Sequence, residues 1–374
     1  MRIGFDAKRA YNNISGLGNY SRYVISCISR FYPENDILLY TPRIADPDLF
    51  VEPAGSQVIL PSGLLSRMFR SQWRSFKLPE LLKAVGVNIF HGLSNELPFG
   101  IHQSGVPSLV TIHDLIFLER PELYKPVDRR IYSKKVAYAC KHATRIIAVS
   151  DQTKRDIMRH LGVEEERIRV VYQGCHRQFY NRASEESRMA VRDRFSLPSD
   201  YLLYVGTIEE RKNLLMIVRA LHEGKIDIPL VVVGRKTPYF QQVDAYIRKN
   251  QIRNIHFLDH VHVSDLPAIY QESRGFIYPS SYEGFGIPVL EALNSRVPVI
   301  TSAGGCLEET AGKGGLFIDP LNTEEMAHAI RRILEDKELR NHMIMEGGSH
   351  AMKFREEQTI PSLYQVYLEC LHDA

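Results

Sequence analysis

The sequence lacks long apolar runs and paired cysteines, and each absence excludes a class of protein. No stretch approaches the roughly 18 apolar residues that a membrane span requires. The five cysteines are odd in number, lie far apart and form no C-x-x-C pair. We therefore expect reduced thiols rather than a disulfide framework or a zinc site. The N-terminus becomes charged before an apolar core could form, which predicts no secretory signal. Together these features predict a soluble, cytoplasmic protein.

A large excess of charge of one sign is also absent. The 374 residues contain 47 Lys and Arg against 44 Asp and Glu, a formal net charge of +3. This balance argues against a dedicated nucleic-acid-binding protein, so no nucleic acid is expected as a partner. With 44% hydrophobic and 24% charged residues, the composition is globular rather than disordered. The length predicts two domains.

Short apolar runs alternate with helical stretches along the whole chain, which is the pattern of α/β units around parallel sheets. The strands predicted in the first half are Arg2–Asp6, Ile37–Thr41, Val87–His91, Ser108–His113, Arg145–Ser150 and Arg169–Tyr172. Those predicted in the second half are Tyr201–Gly206, Pro229–Gly234, Ile255–Leu258, Gly275–Tyr278, Pro298–Ser302 and Gly315–Ile318. Two such sets predict two doubly wound parallel sheets, with the substrate in a cleft between the domains.

A polar, acidic stretch at 181–189 is interpreted as the linker. We predict an N-terminal domain over 1–180, a second domain over 181–356, and a C-terminal helix over 357–374. The stretch Ile360–His372 of this last segment is apolar at helical spacing.

The segment Pro279–Leu293 contains the most informative pattern. It passes from a strand through a glycine loop into a helix, and Glu283 and Glu291 lie eight residues apart. A helix N-terminus binds anions through unpaired N–H groups. An ionised carboxylate accepts hydrogen bonds from a vicinal diol. The segment therefore offers sites for a diol, a phosphate and a second diol, as a nucleotide sugar requires. The alternative is a capped helix with two solvated glutamates.

This segment resembles the E-x7-E motif of the retaining glycosyltransferases of family 4, which have the GT-B fold. Further stretches similar to that family are Ser15–Arg22, Thr111–Asp114, Val205–Asn213, Val299–Glu309 and Phe317–Pro320. The resemblance implies two Rossmann-like domains separated by a cleft. It also implies a last helix that packs back on the first domain, and a function similar to that of bacterial mannosyltransferases of polysaccharide assembly.

By this resemblance, Glu291 holds the ribose hydroxyls and Glu283 the hydroxyls of the donor sugar. Arg211 and Lys212 clamp the donor diphosphate, and His113 binds the donor sugar or steadies the reacting centre. The residues assigned to catalysis are thus Glu283, His113, Lys212 and Arg211. Those assigned to donor binding are Gly16, Gly18, Gly206, Phe285, Gly286, Ile287 and Glu291, where Gly16 and Gly18 belong to a loop that closes over the diphosphate.

Other ligand motifs are weaker. The G-x-G at Gly16 and Gly18 begins about ten residues after the predicted strand and lacks a third glycine, which argues against NAD. His256, His260 and His262 would share one face of a strand, but no fourth metal ligand is indicated. Asp46-Pro-Asp48 mimics a D-x-D motif in a polar loop. We expect neither a metal ion nor a cofactor.

The implied reaction transfers a hexose, with mannose from GDP-mannose as the best candidate, to a glycan or lipid-linked glycan. The anomeric configuration is retained by a front-face route in which the leaving diphosphate takes the acceptor's proton. The sequence departs from the family pattern at Asn19 and at Gln173–His176. Alternatives are a UDP-sugar-dependent hexosyl- or N-acetylhexosaminyltransferase, a non-catalytic nucleotide-sugar-binding protein, and an epimerase or phosphorylase on the same scaffold.

Charge is unevenly divided along the chain. Residues 1–180 contain 25 Lys and Arg and 17 Asp and Glu, whereas residues 181–374 contain 22 and 27. Within the basic half, Leu64–Lys83 mixes apolar residues with Arg67, Arg70, Arg74 and Lys77, and Lys125–Arg145 is a second basic stretch. This pattern favours contact with an anionic membrane surface, on the inner face of the cytoplasmic membrane. A core-facing helix with a solvated basic face is the alternative.

Overall fold

The computed structural model describes residues 1–63 and 68–373. They form two compact units, which we call unit 1 and unit 2. Unit 1 comprises Met1–Gln173 and the C-terminal segment from Glu356 onward, and unit 2 comprises Gly174–Arg355. Within the described ranges we find no helix with the length and apolar surface needed for a transmembrane span.

Unit 1 contains a sheet of seven parallel strands in the order β3-β2-β1-β4-β5-β6-β7. They are β1 (Arg2–Asp6), β2 (Asp36–Tyr40), β3 (Gln57–Ile59), β4 (Ile89–Gly92), β5 (Ser108–Ile112), β6 (Arg145–Ala148) and β7 (Ile168–Val170). All but β3 were predicted. This strand has three residues, lies at the sheet edge and is not fully buried, so it leaves no apolar run in the sequence. The strand order reverses between β1 and β4, which is a topological switch point.

Helices cover both faces of this sheet. The α-helices of unit 1 are Lys8–Asn12, Gly16–Phe31, Arg70–Gln72, Leu78–Val85, Ile116–Glu119, Pro126–His142, Asp151–Leu161 and Glu356–His372. A π-helical turn spans Trp73–Lys77. Leu39 belongs to the core on one face, whereas Leu38 and Tyr40 belong to the core on the other. Alternate side chains of one strand thus serve two cores, as in other doubly wound sheets.

The C-terminal helix Glu356–His372 packs within unit 1. Its buried residues Ile360, Leu363, Val366, Tyr367 and Cys370 share a core with the helix Gly16–Phe31 and strand β1. The hydroxyl of Tyr367 lies 2.7 Å from His91 Nδ1, so the helix also supplies a polar partner to strand β4.

The basic segment predicted over Leu64–Lys83 differs from a single amphipathic helix. Its residues 64–67, including Arg67, lie outside the described residues. Arg74 is buried and forms ion pairs with Asp6 and Glu96, so it is not available to a membrane. Met68, Phe69 and Phe76 are exposed, whereas Trp73 is buried. The amphipathic pattern is therefore real, but one of its cations faces inward because two carboxylates from distant elements meet it.

Unit 2 contains six parallel strands in the order β10-β9-β8-β11-β12-β13. They are β8 (Leu202–Val205), β9 (Leu230–Val233), β10 (Ile255–Leu258), β11 (Gly275–Tyr278), β12 (Val299–Ser302) and β13 (Gly315–Ile318), all at predicted places. The α-helices are Glu185–Phe195, Leu214–Glu223, Phe240–Lys249, Leu266–Gln271, Ile287–Asn294, Gly305–Ala311, Thr323–Glu335 and Lys337–Ala351. Two doubly wound parallel sheets confirm the predicted α/β class. The second switch point lies between β8 and β11.

The polar stretch interpreted as a linker is instead the start of unit 2. The helix Glu185–Phe195 begins there, with the Ser184 side chain accepting a hydrogen bond from the backbone of Ser187. Arg188 lies 2.6 Å from Glu272 and Val191 is buried, so the helix is tied to the unit. The acidic residues that suggested a linker occupy the first helical turn, where they complement the helix dipole.

Candidate active site

The switch point of unit 2 brings together the two motifs singled out in the sequence. Strand β8 leads into Gly206 and then to Arg211 and Lys212. Its neighbour β11 leads into the loop that contains Glu283 and then into the helix Ile287–Asn294. In parallel α/β sheets the crevice outside the strand ends at such a point is the usual ligand site.

Two glycines permit the close approach of these loops. Gly206 has φ +155°, and a Cβ atom there would lie 3.3 Å from the Nζ atom of Lys212. Gly286 has φ +123°, and a Cβ atom there would lie 2.9 Å from Leu307. A side chain at either position would meet both backbone strain and a neighbouring group.

Glu283 is held by three donors at one oxygen. Its Oε1 atom lies 2.8 Å from the Tyr278 hydroxyl, 2.9 Å from the Ser280 hydroxyl and 2.6 Å from Arg211 Nη1. Its Oε2 atom has no hydrogen-bond partner among the described residues and is not sealed from solvent. Burial alone would raise the pKa of Glu283, but the charges of Arg211 and Lys212 and the hydrogen bonds outweigh it and lower this pKa. The carboxylate is therefore ionised with one oxygen free.

Both terminal nitrogens of Arg211 are engaged by protein groups. Besides Glu283, its guanidinium donates to Glu209 at 2.6 Å and to the carbonyl oxygen of Tyr282. Its side chain is 12% exposed. A planar guanidinium can serve several acceptors at once, and here it fixes the loop that carries Glu283.

Lys212 is the opposite case. Its Nζ atom lies 5.4 Å from the centroid of the Tyr278 ring. Within the described part of the chain it forms no ion pair with a carboxylate. The ammonium group is therefore a partly buried cation that no carboxylate of the described residues contacts directly, although its charge acts on Glu283 and Glu291.

Glu291 lies on the helix Ile287–Asn294 and contacts only a neutral hydrogen-bond donor. Its Oε2 atom accepts a hydrogen bond from the Tyr270 hydroxyl at 3.0 Å. Burial raises the pKa of Glu291 to about 7, against smaller opposing effects of Tyr270 and Lys212. The carboxyl group thus changes its charge near neutral pH.

The start of this helix offers unpaired backbone donors. No side chain caps it, since Gly286 occupies the N-cap position. The amide groups of Gly286 and Ile287 donate no hydrogen bond to a residue that the structure describes. Phe285 is buried, with its ring 5.5 Å from that of Phe354 and its carbonyl oxygen bonded by Thr310. The loop is held by packing, while the amides of Gly286 and Ile287 stay available to an anion.

The remaining predicted residues lie in unit 1. His113 follows β5 and is 7% exposed. Its Nε2 atom lies 2.9 Å from the carbonyl oxygen of Leu93, which assigns the ring proton to Nε2. Its ring meets that of Tyr20 edge to face at 4.6 Å. Burial lowers the pKa of His113 to about 4, so the imidazole is neutral at physiological pH.

Gly16 and Gly18 lie in the first turn of the helix Gly16–Phe31 rather than in the predicted loop. A Cβ atom at Gly18 would clash with the carbonyl oxygen of Asn13, whereas one at Gly16 would meet nothing within 4 Å. The prediction of a loop is wrong here because the G-x-G spacing also suits a helix start packed closely on the preceding turn.

Several functional partners left no usable signal in the sequence. Tyr278, Ser280 and Tyr270 hold the two glutamates, but aromatic residues at strand and helix positions are indistinguishable from core residues. A buried chain in unit 1 was also missed: Tyr367, His91, Thr111 and Tyr20 are joined by contacts of 2.7, 2.8 and 3.1 Å. It links the C-terminal helix to the residue that packs on the His113 ring.

A group of side chains that could ligate a metal lies in unit 1, and not at the three histidines considered in the sequence analysis. Within residues 1–63 and 68–373, Glu119, Asp156 and His160 bring their ligand atoms within 4.8 Å of one another. Arg159 pairs with both carboxylates, so ion pairing accounts for this cluster. His256, His260 and His262 are not among these residues, and His262 Nδ1 lies 2.8 Å from the Ser264 hydroxyl.

Comparison with known proteins gives matches over both units. The family model described as Glycosyltransferase Family 4 matches residues 15–179, and the one described as Glycosyl transferases group 1 matches residues 191–349. The chain is 31% identical over 289 residues to the O-antigen chain mannosyltransferase B of Escherichia coli, which covers 75% of this chain and 74% of that protein.

A second relative is the serotype-specific mannosyltransferase WbdA of Escherichia coli, 25% identical over 280 residues that make up 70% of this chain. The match covers 34% of WbdA, so the chain spans about a third of that protein. Among solved structures, Anabaena HepE in complex with UDP and glucose superposes with a TM-score of 0.75 at 15% identity, covering 98% of each chain. The last likeness concerns the fold alone, which is that of two-domain glycosyltransferases.

Proposed function

The chain belongs to glycosyltransferase family 4, and we propose that it transfers mannose from GDP-mannose to a glycan with retention of the anomeric configuration. The unpaired Oε2 atom of the ionised Glu283 carries this proposal. An ionised carboxylate with one free oxygen, near an ammonium group that no carboxylate of the described residues contacts directly, suits a ligand that combines sugar hydroxyls with a phosphate. A nucleotide diphosphate sugar has both.

In this proposal Glu283 binds the donor sugar. Oε1 is occupied by Tyr278, Ser280 and Arg211, which leaves Oε2 to accept hydrogen bonds from sugar hydroxyls. The same bonds argue against Glu283 as the nucleophile of a double displacement, because three donors lower the nucleophilicity of the carboxylate. They favour the front-face route.

The diphosphate is bound by Lys212 and by the amides of Gly286 and Ile287. This division differs from the predicted clamp of two cations, since the contacts of Arg211 with Glu209 and Glu283 make it a positioning residue. Lys212 supplies the charge that the leaving group develops in the transition state.

Glu291 binds the ribose in this proposal. One of its oxygens accepts the Tyr270 hydroxyl, and the other has no hydrogen-bond partner among the described residues. A ribose diol donates to the ionised form, so donor binding favours the loss of the Glu291 proton.

The reaction forms a bond between an acceptor oxygen and the anomeric carbon while the bond from that carbon to the diphosphate breaks. The proton of the acceptor hydroxyl passes to the leaving diphosphate oxygen. His113 is neutral and carries its proton on Nε2, so it contributes a hydrogen-bond acceptor at Nδ1 to a sugar hydroxyl rather than a positive charge. Positioning and charge stabilisation then account for catalysis without a metal ion.

The identity of the sugar and of the acceptor is proposed from the relatives. One is named an O-antigen chain mannosyltransferase and the other a serotype-specific mannosyltransferase, and we extend this to GDP-mannose and a lipid-linked glycan. A thermal-shift screen with GDP-mannose, UDP-glucose, UDP-N-acetylglucosamine and ADP-glucose tests the donor. The proposal expects GDP-mannose to stabilise the protein most, and a larger shift with a UDP-sugar would favour the alternative donor class.

A transfer assay with the selected donor tests the catalytic assignment. Glu283→Gln should lose at least a hundredfold in turnover while its unfolding temperature stays within a few degrees of the wild type. Glu335→Gln, an exposed glutamate at the end of the helix Thr323–Glu335, is the matched control and should transfer normally. Near wild-type transfer by Glu283→Gln would refute the assignment.

We also propose that unit 1 contacts an anionic membrane surface. Phe76 is 58% exposed and stacks on Phe99, which in turn contacts Tyr138 of the helix Pro126–His142. The same helix exposes Val127 and Ile131. Three of its exposed cations without an ion pair are Arg129, Arg130 and Lys134. Exposed apolar groups among free cations suit anionic headgroups.

Co-sedimentation with phosphatidylglycerol vesicles tests this surface. Replacing the three helix cations by glutamate should abolish binding, and vesicles of phosphatidylcholine alone should bind little. The control replaces three exposed cations of unit 2, namely Lys225, Lys249 and Arg253. Unchanged binding of the helix variant, or equal loss in the control, would contradict a specific membrane face.

A further inference from the structure

The carboxyl end of strand β1 in unit 1 carries positive charge that the proposed mechanism does not use. Asp6 ends the strand, and Lys8 and Arg9 follow it in the short helix Lys8–Asn12. This end of β1 lies at the switch point next to β4, the position at which doubly wound sheets bind ligands.

Four neighbouring charges neutralise one another. Arg74 Nε lies 3.0 and 2.9 Å from the two oxygens of Asp6, and Arg74 Nη1 lies 2.7 Å from Glu96 Oε2. Lys135 Nζ lies 3.3 Å from Glu96 Oε1. Two cations and two carboxylates thus form a closed network, and neither carboxylate is left for a further ion pair.

Lys8 and Arg9 are surplus to this network. Neither side chain forms an ion pair or hydrogen bond with a residue that the structure describes, although both are partly buried. Burial and the positive charge of Arg74 lower the pKa of Lys8, with Glu96 and Asp6 opposing them only in part. Two partly desolvated cations without a counter-ion are costly unless a ligand supplies one.

His113 adds a hydroxyl-binding group beside these cations. His113 follows β5, which only β4 separates from β1 in the sheet. The helix Lys8–Asn12 contacts the helix Gly16–Phe31 through the Arg22–Ala10 hydrogen bond, and Tyr20 of the latter helix packs on the His113 ring. Because Nε2–H is bonded to Leu93, Nδ1 remains as an acceptor, and it has no partner and is not sealed from solvent.

We propose that Lys8 and Arg9 bind a phosphoryl group of a sugar phosphate whose hydroxyl is bound by His113. The pair carries two positive charges, which matches a diphosphate or a phosphate dianion better than a carboxylate. That this ligand is a substrate rests on the proposed function. Two sources offer the same chemistry: the diphosphate of the nucleotide sugar and a phosphate carried by the acceptor.

Calorimetric titration with inorganic pyrophosphate tests the site directly. The full chain carries the Lys212→Ala substitution, so that the cation of unit 2 does not contribute. Adding Lys8→Gln and Arg9→Gln should weaken pyrophosphate binding at least tenfold. Adding Lys249→Gln and Arg253→Gln, two exposed cations without an ion pair, should leave it unchanged. Equal binding by both sets would overturn the proposal.

A charge-retaining variant guards against loss of the fold. Lys8→Arg with Arg9→Lys should keep binding within about threefold, and binding as weak as that of the glutamine variant would overturn a charge-based site. Steady-state kinetics of the Lys8→Gln, Arg9→Gln variant, with Lys212 intact, then separate the two sources. A rise in KM confined to the nucleotide sugar assigns the site to the donor diphosphate, and a rise confined to a phosphate-bearing acceptor assigns it to the acceptor. The pyrophosphate result does not depend on transfer activity. Failure of the proposed function can therefore be distinguished from failure of the site at Lys8 and Arg9.

Discussion

Replacing Glu291 by glutamine should make the protein more stable at alkaline pH while weakening donor binding. The substitution keeps the shape of the side chain and an oxygen that accepts the Tyr270 hydroxyl. It removes the charge that burial disfavours. The stability of the wild type and of the variant should therefore diverge as the wild-type carboxyl group ionises.

The size of the effect follows from the pKa of Glu291, which burial raises from 4.5 to about 7. The folded protein holds this proton more tightly than the unfolded chain does. The resulting stabilisation is complete below about pH 4.5 and is lost as the pH rises through about 7. The difference corresponds to about 3 kcal/mol above pH 8.

Thermal unfolding between pH 5 and 9 measures this directly. Glu291→Gln should match the wild type near pH 5 and exceed it at pH 8.5 by roughly 6–12 °C. The exposed Glu335→Gln should follow the wild type at every pH. Parallel curves for the wild type and Glu291→Gln would refute the assignment of a buried, uncompensated carboxyl group.

Donor affinity should change in the opposite direction. A ribose diol donates to the ionised carboxylate, so the wild type should bind the nucleotide sugar about tenfold more tightly at pH 8 than at pH 6. Glu291→Gln should bind more weakly and without this pH dependence, because it does not titrate. Calorimetric titration with GDP-mannose at both pH values tests this, and an affinity independent of pH in the wild type would exclude Glu291 from the ribose site.

Further predictions separate the charged residues by role. Lys212→Ala should lower kcat/KM for the donor at least a hundredfold without a change in the unfolding temperature, as transfer and melting assays would show. Arg211→Ala should destabilise the protein by about 3–5 kcal/mol, because it leaves the Glu283 charge buried without its partner, and Arg211→Lys should not restore it in denaturant unfolding. Arg74→Met should cost a similar amount by leaving Asp6 unpaired, and an unfolding curve like that of the wild type would contradict the buried network.

The sheets were predictable because their strands leave short apolar runs between turn residues. Strand β3 was not predicted, because it has only three residues and lies at the edge of the sheet. The spacing of Glu283 and Glu291 was likewise visible, since a loop and the helix that follows it are local in sequence. One of their hydrogen-bond partners, Tyr270, could not be predicted, because it lies on another helix and nothing in the sequence distinguishes it from a core residue.

The burial of charged side chains was the feature that the sequence predicted least well. Arg74 follows the basic pattern of its segment, yet it pairs with Asp6, 68 residues away, and with Glu96, 22 residues away. A helical charge pattern cannot distinguish a solvated arginine from one that meets carboxylates brought in by the fold. The prediction of a linker at 181–189 failed for the same reason. The polar residues from Ser184 onward begin a helix, and Glu272, which is distant in sequence, anchors that helix through Arg188.

Glu283 and Glu291 show why the partners matter more than the residue type. Both are withdrawn from water in one segment, yet the pKa of Glu283 is lowered and that of Glu291 is raised. The difference is Arg211, 2.6 Å from Glu283, whereas Glu291 has only the neutral Tyr270 hydroxyl at 3.0 Å. An arginine can serve Glu283, another carboxylate and a carbonyl oxygen together, which leaves the neighbouring Lys212 as the cation for a ligand. One carboxylate is thus charged before the donor arrives, and the charge of the other is completed by the donor itself.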